Sequence, residues 1–175
     1  MWWNVLGPGG APGLLWLERK EGYVSTFLSN FSFREEDTLL VYSHGGLNAA
    51  AIEAGLYARE RGCAVIAITS MRNHEVSTAT HSSGKKLADV ADIVIDNCIS
   101  PEDSLIDIGN PEKVAAGSTV SVILISMALV AETAAVLSER DVHLDTFVSP
   151  NVTGVAPDHN ERVFERFRQR IRETI

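Results

Sequence analysis

The stretch Ser43-His44-Gly45-Gly46-Leu47-Asn48 concentrates more binding chemistry than any other part of the chain. Its two glycines let backbone N–H groups approach an oxyanion closely, and the helix expected to follow supplies about half a positive charge at its N-terminus. The Ser43 hydroxyl and the Asn48 amide add neutral hydrogen bonds, so an esterified phosphate suits the turn without a lysine. The same residues also serve as an ordinary helix cap and tight turn. Small hydroxyl residues recur at Thr69-Ser70, Ser82-Ser83 and Ser118-Thr119. These hydroxyl turns exceed what capping requires and point to a ligand rich in oxygens. Lys85 and Lys86 fall in the first turn of a predicted helix, where the helix dipole disfavours cations, which makes Lys85 a candidate partner for an anion.

Proton transfer beside a carbonyl needs a base and an acid within hydrogen-bond reach of the substrate. Glu53 lies about one turn into the helix that begins at Asn48 and is the candidate base; an exposed helix glutamate is the plainer reading. His44 and His81 are the candidate acids, with an ordinary pKa near 6.5 that suits the task. The five histidines form no metal-ligand spacing with each other or with Cys63 and Cys98, so no metal is expected. Neither G-x-G-x-x-G after a strand nor G-x-x-x-x-G-K-[ST] occurs, which argues against a dinucleotide or an ATP-hydrolysing loop. No cofactor is expected.

These residues must be held by the elements around them. Asp37 to Tyr42, Cys63 to Ile68 and Ile93 to Ile95 are short apolar runs of the kind found in parallel strands covered on both faces. Helical patterns follow two of them, from Asn48 to Arg61 with Gly62 as its end, and from about Lys85 to Ala91 before the third strand. Glu18 to Phe33 reads as a helix burying Tyr23, Phe27, Leu28 and Phe31. Met71 to Thr80 and Asp96 to Ala116 read as polar loops. Ser118 to Leu137 is a long apolar helix interrupted by Ser121, Ser126, Glu132 and Thr133, expected to pack against the sheet rather than lipid. Thr146 to Ser149 reads as a last strand, and Glu161 to Ile175 as an amphipathic helix. Alternating strands and helices without hairpin signals imply an α/β fold, a three-layer α/β/α sandwich with an open parallel sheet, flavodoxin- or Rossmann-like. Ligands in such sheets sit beyond the carboxyl ends of the strands, which is where the hydroxyl turns fall.

With 175 residues, 45% hydrophobic and 22% charged, the chain has the composition of one soluble globular domain. Residues 1–16 read as an irregular arm and residues 17–175 as a single domain. The formal net charge of -8 repels nucleic acid and anionic lipid, so neither nucleic acid nor membrane is an expected partner. Cys63 and Cys98 sit in apolar runs and read as buried thiols. No secretory signal is apparent, which fits a cytoplasmic protein.

Taken together, Val41 to Asn48, Ile52-Glu53, Ala67 to Ser70, His81 to Lys85, Ala91 to Cys98, Ser118 to Val120 and Phe147 to Val152 resemble the sugar isomerase (SIS) domain. The resemblance is to phosphosugar-binding proteins of the UPF0309 type, related to phosphoheptose isomerase, and extends from about Leu17 onward. It implies a cytoplasmic protein that dimerises and binds a sugar phosphate, with Ser43, Asn48, Ser70, Ser118 and Thr119 among the binding residues. Three departures stand out. Gly45 occupies a position where the family turn usually carries a second serine. No strand and glycine/serine turn precede Leu14, so the domain looks shortened at its start and is expected to self-associate through the edge this leaves. No histidine lies between Ser118 and Leu137, where phosphoheptose isomerases carry a catalytic one. The expected function is therefore binding of a phosphorylated sugar with aldose-ketose isomerisation, the alternative being a non-catalytic sensor or a regulatory or scaffold subunit.

Overall fold

Three strands form the sheet that positions the hydroxyl turns. β1 (Thr38–Tyr42), β2 (Ala64–Thr69) and β3 (Ile93–Asp96) lie in the order β1-β2-β3, all parallel, with Leu40 opposite Ile66 and Ile66 opposite Ile93. The computed structural model describes residues 10–174. Within it, α3 (Ala49–Arg59) links β1 to β2, and α4 (Met71–Val76) with α5 (Leu87–Val90) links β2 to β3. This is the α/β arrangement with a parallel sheet that the alternating pattern predicts.

Val41, Val65 and Ala67 share one face of the sheet and are buried with Ile52 and Ala58 of α3 and Leu87 and Val90 of α5. Fully burying side chains such as Ile52, Val65 and Leu87 stabilises by about 1.5–3 kcal/mol each, before the entropy of ordering them is set against it. Gly55 lets the helices approach, because a Cβ there would come within 2.9 Å of Val90 Cγ2. Gly62 follows α3 at φ 81°, the left-handed position that closes a helix. The opposite face carries Leu40, Tyr42 and Ile93, which remain 38%, 39% and 55% exposed.

Several elements depart from the sequence reading. Residues 1–9 of the predicted arm lie outside the described residues, but Ala11–Leu17 is helix α1, started by Pro12, whose fixed φ suits a first turn. The single helix expected over Glu18 to Phe33 shrinks to α2 (Tyr23–Leu28), because Gly22 at φ 84° breaks the chain before it. Val24 is buried there, while Phe27 and Phe31 stay exposed, Phe27 stacking on Tyr23 and Phe31 tilted against Phe27 along the surface. The polar segment after β2 contains α4, capped by Ser70. Residues 96–116 hold an antiparallel pair, β4 (Ser104–Ile106) with β5 (Val114–Ala116), in place of an unstructured loop. The seven residues 107–113 that join them exceed the two-residue turns whose Asn-Gly or Asp-Gly pairs give the strongest hairpin signal in sequence.

The long helix forms as expected, α6 (Gly117–Glu139), but its apolar surface is not core. Val120, Ile123, Leu124, Met127 and Val130 are 58% to 65% exposed, and only Gly117 of the helix is buried. Composition reports how apolar a helix is, not whether the same chain covers it. By length and hydropathy α6 also meets the requirements of a membrane span.

The chain divides at Ser126 into two compact units, and α6 passes from one into the other. In the second, residues 127–175, the expected amphipathic helix appears as α7 (His159–Thr174), with Val163 buried and Phe164 ringed against Phe147 at 4.7 Å. The strand expected at Thr146 to Ser149 is absent. Val148 pairs its N–H and C=O with the Asn160 side-chain amide, at 3.0 and 2.9 Å, which leaves no ladder for a strand to join. Asp145 is ion-paired with Arg166 at 2.5 Å and Arg170 at 3.0 Å; hydrogen bonding from Arg166 is the main reason its carboxyl is held below the usual range.

Candidate functional site

The carboxyl ends of β1, β2 and β3 open on one cavity of about 230 Å³, lined by Tyr42, Ser43, His44, Ile68, Asn97, Ser118, Thr119, Ser121 and Val122. All of these belong to the first unit. The Ser43 N–H donates to the Ile68 carbonyl at 3.1 Å, which fixes the end of β1, and the Ser43 Oγ accepts the Gly46 N–H at 3.2 Å. Gly46 has φ 62°, and a Cβ on it would stand 2.9 Å from Thr69 Oγ1, so the turn passes β2 with no room for a side chain. The N–H groups of Gly45, Leu47 and Asn48 find no acceptor among the described residues. Asn48 is the N-cap residue of α3 yet makes no side-chain capping bond, which leaves its amide uncommitted.

His44 enters the cavity wall with a defined tautomer. Asn97 Oδ1 accepts the Ile99 N–H at 3.0 Å, so its Nδ2 is the atom that faces His44 Nδ1, at 3.2 Å. Nδ1 is then an acceptor, and the neutral ring carries its proton on Nε2. That Nε2 is buried and has no hydrogen-bond partner.

Asp103, at the start of β4, was not singled out by the sequence and stands at the N-terminus of α6. Its Oδ1 accepts the Ser118 N–H at 2.7 Å and its Oδ2 the Ser118 hydroxyl at 2.8 Å. Partial desolvation pushes this carboxyl up, but the two Ser118 bonds, the nearby His44 ring and the Gly117 N–H outweigh it and hold the pKa below the ordinary range. Thr119 is exposed at the same rim.

The remaining hydroxyl candidates are committed within the protein. Thr69 Oγ1 donates to the His44 carbonyl at 3.2 Å, and Ser70 Oγ donates to the Ile99 carbonyl at 2.6 Å while accepting the Asn73 N–H at 3.1 Å; Thr69 and Ser70 are 1% and 0% exposed. They shape the strand end without facing the cavity. Cys98 is exposed at φ 59° rather than buried, because the chain turns outward after β3, whereas Cys63 is buried and points its thiol at the Arg34 carbonyl.

A second cluster forms away from that lining. His81 Nε2 lies 3.8 Å from Glu53 Oε1 and 3.8 Å from Glu21 Oε2, with the His81 and Glu53 side chains 7% and 10% exposed. Glu53 Oε1 accepts the Gly22 N–H at 2.5 Å, leaving Oε2 without a partner. Ser82 gives its N–H and hydroxyl to Glu21, at 2.8 and 2.5 Å, and these bonds, the hydroxyl first, lower the Glu21 pKa. Ser83 donates its N–H to His81 Nδ1 at 3.1 Å. Lys85 is exposed just before α5, and Lys86 occupies its N-cap, ahead of the first turn where both were expected. The Lys86 ammonium reaches the His74 and Ser77 carbonyls at the end of α4, where a cation is favoured. The structure thus brings Glu53 and His81 together and assigns His44 to the cavity. Among the described residues, no group of three or more His, Cys, Asp or Glu is arranged to hold a metal.

Comparison with known proteins agrees with this architecture. Residues 4–70 match the SIS domain family. A UPF0309 protein of Thermoanaerobacter pseudethanolicus is 33% identical over 166 residues, covering 93% of this chain and 67% of the relative. UPF0309 proteins of Caldanaerobacter subterraneus and Oceanobacillus iheyensis are 33% and 34% identical, over 93% and 89% of this chain and 67% and 63% of their own lengths. The chain therefore spans about two thirds of the length of these relatives, and on the extent of that identity it belongs to the UPF0309 family.

Proposed function

We propose that the chain binds a phosphorylated sugar in the cavity at the carboxyl ends of β1 to β3. The observation that carries this reading is the cavity wall: the Ser43 turn, His44 with an unpartnered Nε2, Asn97 and Thr119 converge on about 230 Å³. Of the turn, Ser43 and His44 line the cavity; the N–H groups of Gly45, Leu47 and Asn48, which have no acceptor among the described residues, follow outside the lining at the start of α3 and suit a phosphate that extends to them, while the hydroxyl and amide groups suit the sugar. The match of residues 4–70 to the SIS domain family supports the same ligand class. Thermal-shift and calorimetric titration with a panel of sugar monophosphates tests it: at least one should raise the melting temperature of the wild type and bind Ser43→Ala more weakly. No shift across the panel would rule the reading out and favour a scaffold subunit.

The approach of Glu53 to His81, a pair outside the lining of that cavity, favours aldose-ketose isomerisation as a second reading, which requires the bound sugar to extend to this pair. Ser83 makes His81 Nδ1 an acceptor, so a neutral His81 carries its proton on Nε2, the atom nearest Glu53, giving a donor and a base side by side. Turnover of a bound sugar phosphate that is lost in Glu53→Gln would support the enzyme; binding without interconversion on any panel member leaves a sensor. We also propose a homodimer, because the apolar face of α6 and the open face of the sheet around Leu40 and Ile93 lack a cover within the described residues.

A further inference from the structure

We propose that Asp103 sets the polarity and phosphate count of the ligand, reserving the α6 end of the cavity for uncharged hydroxyls. This inference rests on the phosphosugar reading. The α6 N-terminus is the second helix start at the cavity, and Ser118 there offers a backbone N–H and a hydroxyl, the same donors that make the Ser43 turn attractive to phosphate. They are already taken by a carboxylate at 2.7 and 2.8 Å, and the Gly117 N–H is bound to the Asp103 backbone carbonyl at 2.9 Å. The carboxylate is held ionised by these donors and by the proximity of His44.

Two anions cannot share one such end without strong repulsion in a partly desolvated pocket. A phosphate is therefore excluded beside Ser118 and directed to the Ser43 to Asn48 turn, where no carboxylate is bonded to the turn. Asp103 lies outside the lining residues and acts on the cavity across Ser118, whose N–H and hydroxyl it holds, which leaves the hydroxyls of Thr119 and Ser121 at that end for an uncharged carbohydrate. Its backbone at φ 65° is a left-handed conformation that a non-glycine residue adopts at a cost, consistent with a carboxylate held at this point by its bonds to α6. The expected ligand is a sugar monophosphate whose far end is hydroxylated, and a sugar bisphosphate is rejected.

The test compares a hexose 6-phosphate with the corresponding hexose 1,6-bisphosphate by calorimetry. The wild type should bind the monophosphate about tenfold or more tightly than the bisphosphate. Asp103→Asn, which keeps an oxygen for the Ser118 N–H but removes the charge, should bring the two affinities close to equality. Ser118→Ala, which keeps the N–H bond to the carboxylate, should preserve the wild-type preference. Equal affinities in the wild type would overturn the inference whether or not Asp103→Asn folds, as would a preference unchanged in that variant. Absence of wild-type binding by every monophosphate of the panel would instead remove the phosphosugar reading, and this inference with it.

Discussion

At the scale of single residues, Gly46 is the position with the least freedom. It combines φ 62° with a Cβ site 2.9 Å from Thr69 Oγ1, and that hydroxyl is itself bonded to the His44 carbonyl. Gly46→Ala should cost about 1–3 kcal/mol, read as a lower urea midpoint, because it imposes left-handed strain and displaces Thr69. An unchanged midpoint would mean the turn tolerates a side chain and is not held as described. The importance of this turn was legible in sequence, since a Gly-Gly pair between a strand and a helix calls for close backbone approach. The partners of individual hydroxyls were not. Ser70 reads as a ligand residue until Ile99 and Asn73 are seen to claim its oxygen, and Glu21 carries no local signal, since the serine it binds is 61 residues away. Asp103 was hidden for the same reason: it lies 15 residues before the serine it holds, in a segment that reads as loop.

At the scale of elements, two carboxylates tie separate segments together: Glu21 joins the turn before α2 to residues 81–82, and Asp103 joins the start of β4 to α6. Both have folded-state pKa values lowered by the serine donors they face. Protons therefore bind the unfolded chain more readily. The stability these groups contribute is complete above the ordinary carboxylate pKa of about 4 and fades as the pH falls through the lower folded values. Urea midpoints measured from neutral pH downward should fall more steeply in the wild type than in Glu21→Gln or Asp103→Asn; parallel curves would mean the serine contacts do not persist in solution. Strands β1 to β3 and helix α3 were readable because apolar runs and helix formers alternate with clear stops. The β4–β5 pair and the turn at Gly22 were not, because short hairpins and single breaks leave little periodicity to detect.

At the scale of the whole molecule, the hydropathy of α6 was legible but its surroundings were not, since burial depends on what packs against it. Five apolar side chains, Val120, Ile123, Leu124, Met127 and Val130, project from it with more than half of their surface exposed. On the homodimer proposal, light scattering should give about twice the mass of 19.0 kDa, and Leu124→Glu should return the monomer without lowering helix content. A wild-type monomer that instead floats with neutral vesicles would transfer the helix to a membrane. The central claim is that neutral donors at the strand ends grip a sugar phosphate. Amide chemical-shift mapping during addition of a sugar monophosphate tests it most directly. The account predicts saturable shifts concentrated at Gly45, Gly46, Leu47 and Asn48, with smaller ones at Asn97 and Thr119. Shifts that are absent, or that cluster away from these turns, would contradict it.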